Sequence, residues 1–225
     1  MADLLSRQFH AVLFDLDGTL IDSAPDLAGA ANELREAHGL PALPYESFRP
    51  MVGSGARGMI GVAFDLGPQH ERFAGLRDDF LRRYELRMTR QTRIFEAVLP
   101  VLDALERQKR KWGIVTNKAA RFTDPLVRAL GLHPRAATVI AGDTTPHSKP
   151  HPAPLLEAAR QVGLDPSQCI YIGDDVRDVQ AGHAAGMATA AAGWGYLGAG
   201  EPIEAWGAEY IVRKPSDLLN LLGLA

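Results

Sequence analysis

A single cysteine, Cys169, in a chain of 225 residues excludes an internal disulfide and a cysteine-built metal cluster. It sits in the apolar run Cys169-Ile170-Tyr171-Ile172, which reads as a buried core thiol rather than a reactive one. A reducing cytoplasm fits such a chain. No uninterrupted apolar stretch approaches the roughly 20 residues that span a bilayer, and the first residues carry no apolar segment with a small-residue cleavage site. Neither a membrane partner nor export is therefore expected. Positive charge is not in excess either. Lysine and arginine number 24 against 27 acidic residues, a net charge of -3 that leaves nothing to neutralise a nucleic-acid backbone. Internal repeats and low-complexity segments are missing as well. The remaining composition, 46% hydrophobic and 23% charged, is that of an ordinary folded protein, long enough for one α/β domain with a modest insertion.

Apolar runs and helical spacing alternate along most of the chain. Ala11-Val12-Leu13-Phe14 is a short apolar strand of the kind covered on both faces. Gly18 breaks it, and Asp22 and Ser23 offer helix caps before Pro25. From Asp22 to Phe95 no strand is expected. Leu27, Ala30, Ala31 and Leu34 recur at helical spacing, as do Phe73, Leu76, Phe80, Leu81, Tyr84 and Leu86, with turns near Gly39-Leu40-Pro41 and Gly67-Pro68. After Pro100, helices expected near 101–108, 125–130, 154–162, 176–185 and 218–222 alternate with strands at 112–116, 138–141, 169–172, 188–191 and 210–212. That alternation predicts right-handed crossovers and a mostly parallel, Rossmann-like sheet. The expected division is a core of residues 1–21 and 96–225 with a small helical insert of 22–95.

In such a sheet ligands bind beyond the carboxyl ends of the strands, and there the unusual polar residues fall. Asp15 and Asp17 end the first strand, Thr116, Asn117 and Lys118 follow the second, Lys149 lies on a later loop, and Asp174 and Asp175 follow the Cys169 strand. Converging carboxylates repel one another unless a cation lies between them. With oxygen ligands alone on offer, magnesium is the natural candidate. Thr116, Lys149 and backbone N–H groups of the Asp17-Gly18 turn can hold phosphoryl oxygens. Two strand residues two apart share a side, so one of Asp15 and Asp17 can attack phosphorus while the other handles the proton of the departing oxygen.

Asp15-Leu16-Asp17-Gly18-Thr19-Leu20 resembles the first motif of the haloacid dehalogenase-like hydrolase superfamily in its phosphatase form. Val115-Thr116-Asn117, Ser148-Lys149-Pro150-His151-Pro152 and Gly173-Asp174-Asp175-Val176-Arg177-Asp178 resemble its remaining motifs, in order. The resemblance implies an α/β core with a small α-helical cap, and an aspartyl-phosphate mechanism. It makes Asp15 the nucleophile and a magnesium ligand, and Asp17 the general acid/base that also gives the metal its carbonyl. Thr116, Asn117 and Lys149 become phosphate ligands, Asp174 a further metal ligand, and Asp175 and Asp178 supporting groups. Lys149-Pro150-His151-Pro152-Ala153-Pro154-Leu155 and Gly193-Trp194-Gly195-Tyr196 are similar to phosphoglycolate phosphatase-like proteins. Gly53-Ser54-Gly55-Ala56-Arg57, Trp112 to Lys118 with Arg121-Phe122, and Trp206-Gly207-Ala208 are similar to the N-acetylmuramic acid 6-phosphate phosphatases of cell-wall recycling. Both kinds of substrate carry a carboxylate, which Arg57 suits as a bidentate cap ligand, although a surface arginine on a helix explains it equally.

Lys118 fits a rim charge as well as a substrate contact, and Asp175 fits a solvated loop acid nearly as well as a metal-supporting one. His147 and His151 read as polar loop residues, having no third ligand nearby. The partner expected is a small phosphomonoester, with the chain a monomer or homodimer. Two other functions compete: a β-phosphoglucomutase-like isomerase, which shares the four motifs, and a non-catalytic phosphate-binding regulator, against which Asp15, Asp17 and Lys149 argue. A phosphonate-cleaving relative would need a cap lysine for a Schiff base, and none lies between Asp22 and Phe95.

Overall fold

A computed structural model describes residues 9–224. The first strand, β1 (Ala11–Phe14), is buried throughout. Its side chains alternate between faces: Val12 and Phe14 join the larger core cluster, and Ala11 and Leu13 the one on the opposite side. A tight turn then leads to the two-residue strand β2 (Ile21–Asp22), helix α1 (Ala24–Ala37), the short α2 (Tyr45–Phe48), α3 (Gly55–Phe64), α4 (Phe73–Arg87) and the two-residue strand β3 (Arg93–Ile94). β2 and β3 pair antiparallel, Ile21 with Ile94 and Asp22 with Arg93. The two crossings between the insert and the rest thus run side by side. Sequence patterning misses this ribbon because two residues cannot display an alternation.

The remaining elements are α5 (Leu99–Arg107), β4 (Lys111–Val115), α6 (Ala120–Ala129), β5 (Thr138–Ile140), α7 (Ala153–Val162), β6 (Cys169–Gly173), α8 (Val176–Ala184), β7 (Ala188–Ala192), β8 (Tyr210–Val212) and α9 (Asp217–Leu221). Six strands form one sheet in the order β5-β4-β1-β6-β7-β8, each neighbouring pair parallel. The chain builds β4 and β5 on one side of β1 and the other three on its far side. The order therefore reverses at β1, where a crevice opens beyond the strand ends. The parallel α/β architecture expected from the sequence is the one observed, with strand limits shifted by a residue or two. Helix α6 is the larger departure. It begins at Ala120, five residues before Pro125, which sits inside it.

Within the insert, the stripe Leu27, Ala30, Ala31, Leu34 on α1 is buried, and so are Phe73, Leu76, Phe80 and Tyr84 on α4. Leu86 departs from the pattern at 78% exposed. α1 and α4 are tied by Asp26, which is fully buried. It accepts hydrogen bonds from the Gln91 and Thr92 N–H groups at 2.9 and 2.8 Å and from Thr92 Oγ1 at 2.9 Å, and it faces Arg87 at 3.5 Å. Arg87 also reaches Glu33 at 2.6 Å. Asp22 caps as expected, its Oδ1 taking the Ala24 N–H at 3.3 Å. Ser23 makes no side-chain cap: its hydroxyl donates instead to Asp17. Among the described residues no helix is long and apolar enough to cross a membrane.

Candidate active site

Asp15 and Asp17 leave the end of β1 on a turn closed by the Gly18 N–H to Ile21 carbonyl bond at 2.8 Å. Gly18 has φ +84°, and a Cβ there would lie 2.2 Å from Asp174 Oδ2. Only glycine supplies both the left-handed backbone and the close approach. Asp174 follows β6, the strand paired beside β1. Its oxygens accept from Thr19 Oγ1 at 2.9 Å and the Tyr196 N–H at 2.7 Å. Gly195 permits that second contact, since a Cβ at this position would meet the Asp174 side chain at 2.2 Å.

Carboxylate oxygens of Asp15, Asp174 and Asp178 all lie within 4.8 Å of one another, and among the described residues no other histidine, cysteine, aspartate or glutamate group comes together in this way. Asp178, expected in a supporting place, thus joins the carboxylate cluster. The Asp17 carboxylate turns from the cluster to Ser23 and Lys118, which agrees with a metal contact expected through its carbonyl alone. Burial raises Asp15 to about 7 in spite of Lys149, with Asp178 and Asp17 pushing the same way. Burial also drives Asp174 well above the carboxylate range, and Asp15 and Asp178 add to it. Buried like charges at this spacing call for a cation. An all-oxygen donor set suits a hard divalent ion, so the cluster fits the metal that the motifs imply.

Lys149, 4% exposed, supplies one positive charge. Its Nζ donates to Asp15 at 2.8 Å, to Asp178 and the Tyr171 hydroxyl at 2.7 Å, and faces the Val115 carbonyl at 3.1 Å. Despite burial, Asp15 and Asp178 hold its pKa above the ordinary lysine value. Asn117 secures the lysine's backbone: its Nδ2 donates to the Lys149 carbonyl and its Oδ1 accepts the Lys149 N–H, both at 2.9 Å. The side chain expected on phosphate is thereby engaged at both ends, and its backbone N–H is what remains for an anion. Thr116, buried, accepts the Lys118 N–H at 3.1 Å.

Lys118 proves to be no rim charge. Its side chain is 9% exposed, and its Nζ binds both Asp17 oxygens at 2.9 and 3.0 Å while lying 4.9 Å from the Tyr84 ring centroid. In spite of burial, Asp17 and Tyr84 keep its pKa raised. Burial pushes Tyr84 up to about 12, so its hydroxyl stays a donor at neutral pH. Asp175 caps α8 and pairs with Arg177, whose Nη2 donates both to Asp175 Oδ2 at 2.7 Å and to the Gly53 carbonyl of the insert at 2.6 Å. His147 and His151 stand exposed with ring centroids 4.3 Å apart.

A cavity of about 300 Å³ joins these groups, lined by Asp15, Asp17, Lys149 and Asp174 together with the apolar Leu27, Val52, Phe80 and Phe122 and by Tyr84. Arg57 is not among its residues. It is exposed and opens on a separate groove with Met51, Ser54 and Asp65, because Gly53 and Gly55 take the cavity side of that segment. The cavity's own arginines are Arg121 and Arg177, both from outside the insert. Tyr84 reads from the sequence as a core aromatic on a helical stripe, and nothing in the local pattern marks it otherwise.

Residues 12–192 match the family model described as haloacid dehalogenase-like hydrolase. The chain is 40% identical over 218 residues to an N-acetylmuramic acid 6-phosphate phosphatase of Pseudomonas aeruginosa, covering 97% of this chain and 96% of the relative. It is 44% identical over 210 residues to a phosphoglycolate phosphatase of Xanthomonas campestris pv. campestris, covering 93% and 94%. The crystal structure of a predicted phosphoglycolate phosphatase from Haemophilus somnus superposes with a TM-score of 0.84 at 29% identity, covering 96% of this chain and 99% of that one.

Proposed function

The chain belongs to the haloacid dehalogenase-like hydrolase family and is a phosphomonoester hydrolase of it; from that premise we propose a magnesium-dependent phosphatase for a small anionic phosphomonoester, with Asp15 as nucleophile and phosphoglycolate or N-acetylmuramic acid 6-phosphate as leading substrates. The observation that carries the assignment is the Asp15 carboxylate at the end of the central strand, 2.8 Å from the Lys149 ammonium and clustered with Asp174 and Asp178.

Asp15, Asp174 and Asp178, with the Asp17 carbonyl, would hold the metal, which when bound supplies positive charge for the acids and the phosphoryl oxygens. Asp15 attacks phosphorus, its bond to phosphorus forms, and the bond from phosphorus to the leaving oxygen breaks. Asp17 gives that oxygen its proton. Water then attacks the phosphoaspartate, the bond from Asp15 to phosphorus breaks, and Asp17 takes the proton back. Lys149 neutralises Asp15 and the phosphoryl group, while Lys118 and Ser23 orient Asp17. Phosphoryl transfer asks mainly for such positioning and charge neutralisation.

Residues 22–95 serve as a cap that swings on 21–24 and 95–100 and excludes water on closing. Support comes from the paired crossings at β2 and β3, and from the Tyr196 hydroxyl, which accepts the Ser23 and Ala24 N–H groups at 2.9 and 3.1 Å and donates to Asp22 at 2.9 Å.

A phosphate-release screen that includes both esters, run on the wild type and on Asp15→Asn, tests the assignment. Activity is expected to vanish in a variant whose circular dichroism and Tm match the wild type. Turnover near wild type by the folded variant would remove Asp15 as nucleophile. A phosphosugar isomerised without phosphate release would replace the hydrolase with a mutase.

A further inference from the structure

Tyr84 sits on α4 at 1% exposure, yet it lines the cavity together with Asp17, Lys118 and Phe122. Its ring stacks on Phe80, with centroids 6.4 Å apart and planes 7° apart, and tilts against Phe122 at 5.5 Å. Lys118 lies over the ring face and gives its protons to Asp17. The hydroxyl faces Lys118 electrostatically but has no partner at hydrogen-bond distance. Among the described residues it is the buried side-chain polar atom with no hydrogen-bond partner.

A buried phenol ordinarily finds an acceptor, and an orphan one asks for an explanation. Here the hydroxyl belongs to a residue of the reaction cavity, and the ammonium over its ring is the one that binds Asp17, the proposed general acid. What comes to rest beside Asp17 is the departing part of the ester. Phe80 and Phe122 flank Tyr84, Leu27 and Val52 add further apolar lining to the same cavity, and its volume of about 300 Å³ is far larger than two carbons need.

We propose that Tyr84 is a specificity-determining residue whose hydroxyl donates a hydrogen bond to an oxygen of the leaving group, and that this leaving group sets an oxygen acceptor beside an apolar face, as the ring of a sugar acid does and glycolate does not. The inference rests on the phosphatase reading above and names the class of ester within it.

Tyr84→Phe keeps the ring and its packing and removes only the hydroxyl. With N-acetylmuramic acid 6-phosphate, kcat/KM is expected to fall about tenfold. With phenyl phosphate, whose leaving group has an apolar ring and no oxygen beyond the ester, the change should stay within about twofold. Tm should change little, because the substitution removes a buried hydroxyl whose one neighbour of opposite character, Lys118, keeps its two bonds to Asp17. Equal loss on both esters, no loss on either, or a lowered Tm with unchanged selectivity would each overturn the contact. Wild-type preference for phosphoglycolate over the sugar acid ester would overturn the leaving-group assignment. Wild-type protein that releases phosphate from no ester would overturn the phosphatase reading and this inference together, whereas an active wild type matched by its Tyr84→Phe variant overturns this inference alone.

Discussion

Asn117 spends both ends of its side-chain amide on the backbone of Lys149. Its two bonds to the Lys149 backbone fix the loop that delivers the ammonium to Asp15. Asn117→Ala should therefore lower kcat by roughly tenfold or more and change KM less, since misplacing the ammonium weakens transition-state charge compensation more than ground-state binding. Steady-state kinetics on the preferred ester would show it, and a change confined to KM would return Asn117 to direct phosphate binding. The motif identified the residue, but the role depends on a loop 32 residues away folding back against it, which no local pattern contains. The meeting of Asp15, Lys149 and Asp174 in one place was legible because acids at neighbouring strand ends and a lysine on a following loop all open on the same edge of a parallel sheet. Asp178 was less so, because its second task, completing the α8 capping box, gives the same sequence signature as a mere cap. Arg57 allowed two readings from sequence, and the segment turns its glycines, not its arginine, toward the cavity. Cys169 behaved as its apolar run implies: it is fully buried, and burial pushes its thiol up to about 11.

At the scale of elements, the strands and helices after Pro100 could be read because each carries its own period. Helix α6 began earlier than Pro125 suggested: the proline sits past the first turn, where the helix gives up one backbone bond to keep it, so it does not mark the start. The β2–β3 ribbon and the join between α1 and α4 were illegible, because both arise from contacts between distant segments. Asp26 is the clearest case. It looks like an ordinary acid in the first turn of α1, yet it is fully buried and gathers the Gln91 and Thr92 N–H groups, the Thr92 hydroxyl and Arg87 at the point where the chain leaves α4 for β3. Asp26→Ala should cost about 3–5 kcal/mol, the range for breaking a buried charge network by removing one partner. Urea denaturation would report it as a lower midpoint. A loss under about 1 kcal/mol would mean that Arg87 and the freed N–H groups find water instead, and that the junction is looser than its geometry indicates.

Over the whole molecule, the acid cluster links stability, pH and metal. Asp15 is raised to about 7 and Asp174 well above its ordinary value of 3.8, chiefly by burial. Between about pH 4 and pH 7 the folded, metal-free protein therefore binds more protons than the unfolded chain, and its stability falls as pH rises through that window. Lys149, held above the ordinary lysine value by Asp15 and Asp178 against its burial, stays charged throughout. Asp175, lowered by Arg177 against its burial, and Glu209, lowered by Thr189 against its own, act below the window. A divalent cation on the cluster would hold the acids ionised and remove the slope. Binding only the folded state, it would add about 2.7 kcal/mol at roughly 100 times its Kd. Scanning calorimetry at about pH 5 and about pH 8, in EDTA and in excess magnesium, separates these effects. In EDTA the Tm should be lower at the higher pH, and magnesium should raise the higher-pH value more than the lower. A Tm that climbs with pH in EDTA would show that the three carboxylates do not repel one another in the fold, and an equal magnesium shift at both pH values would place the ion away from them.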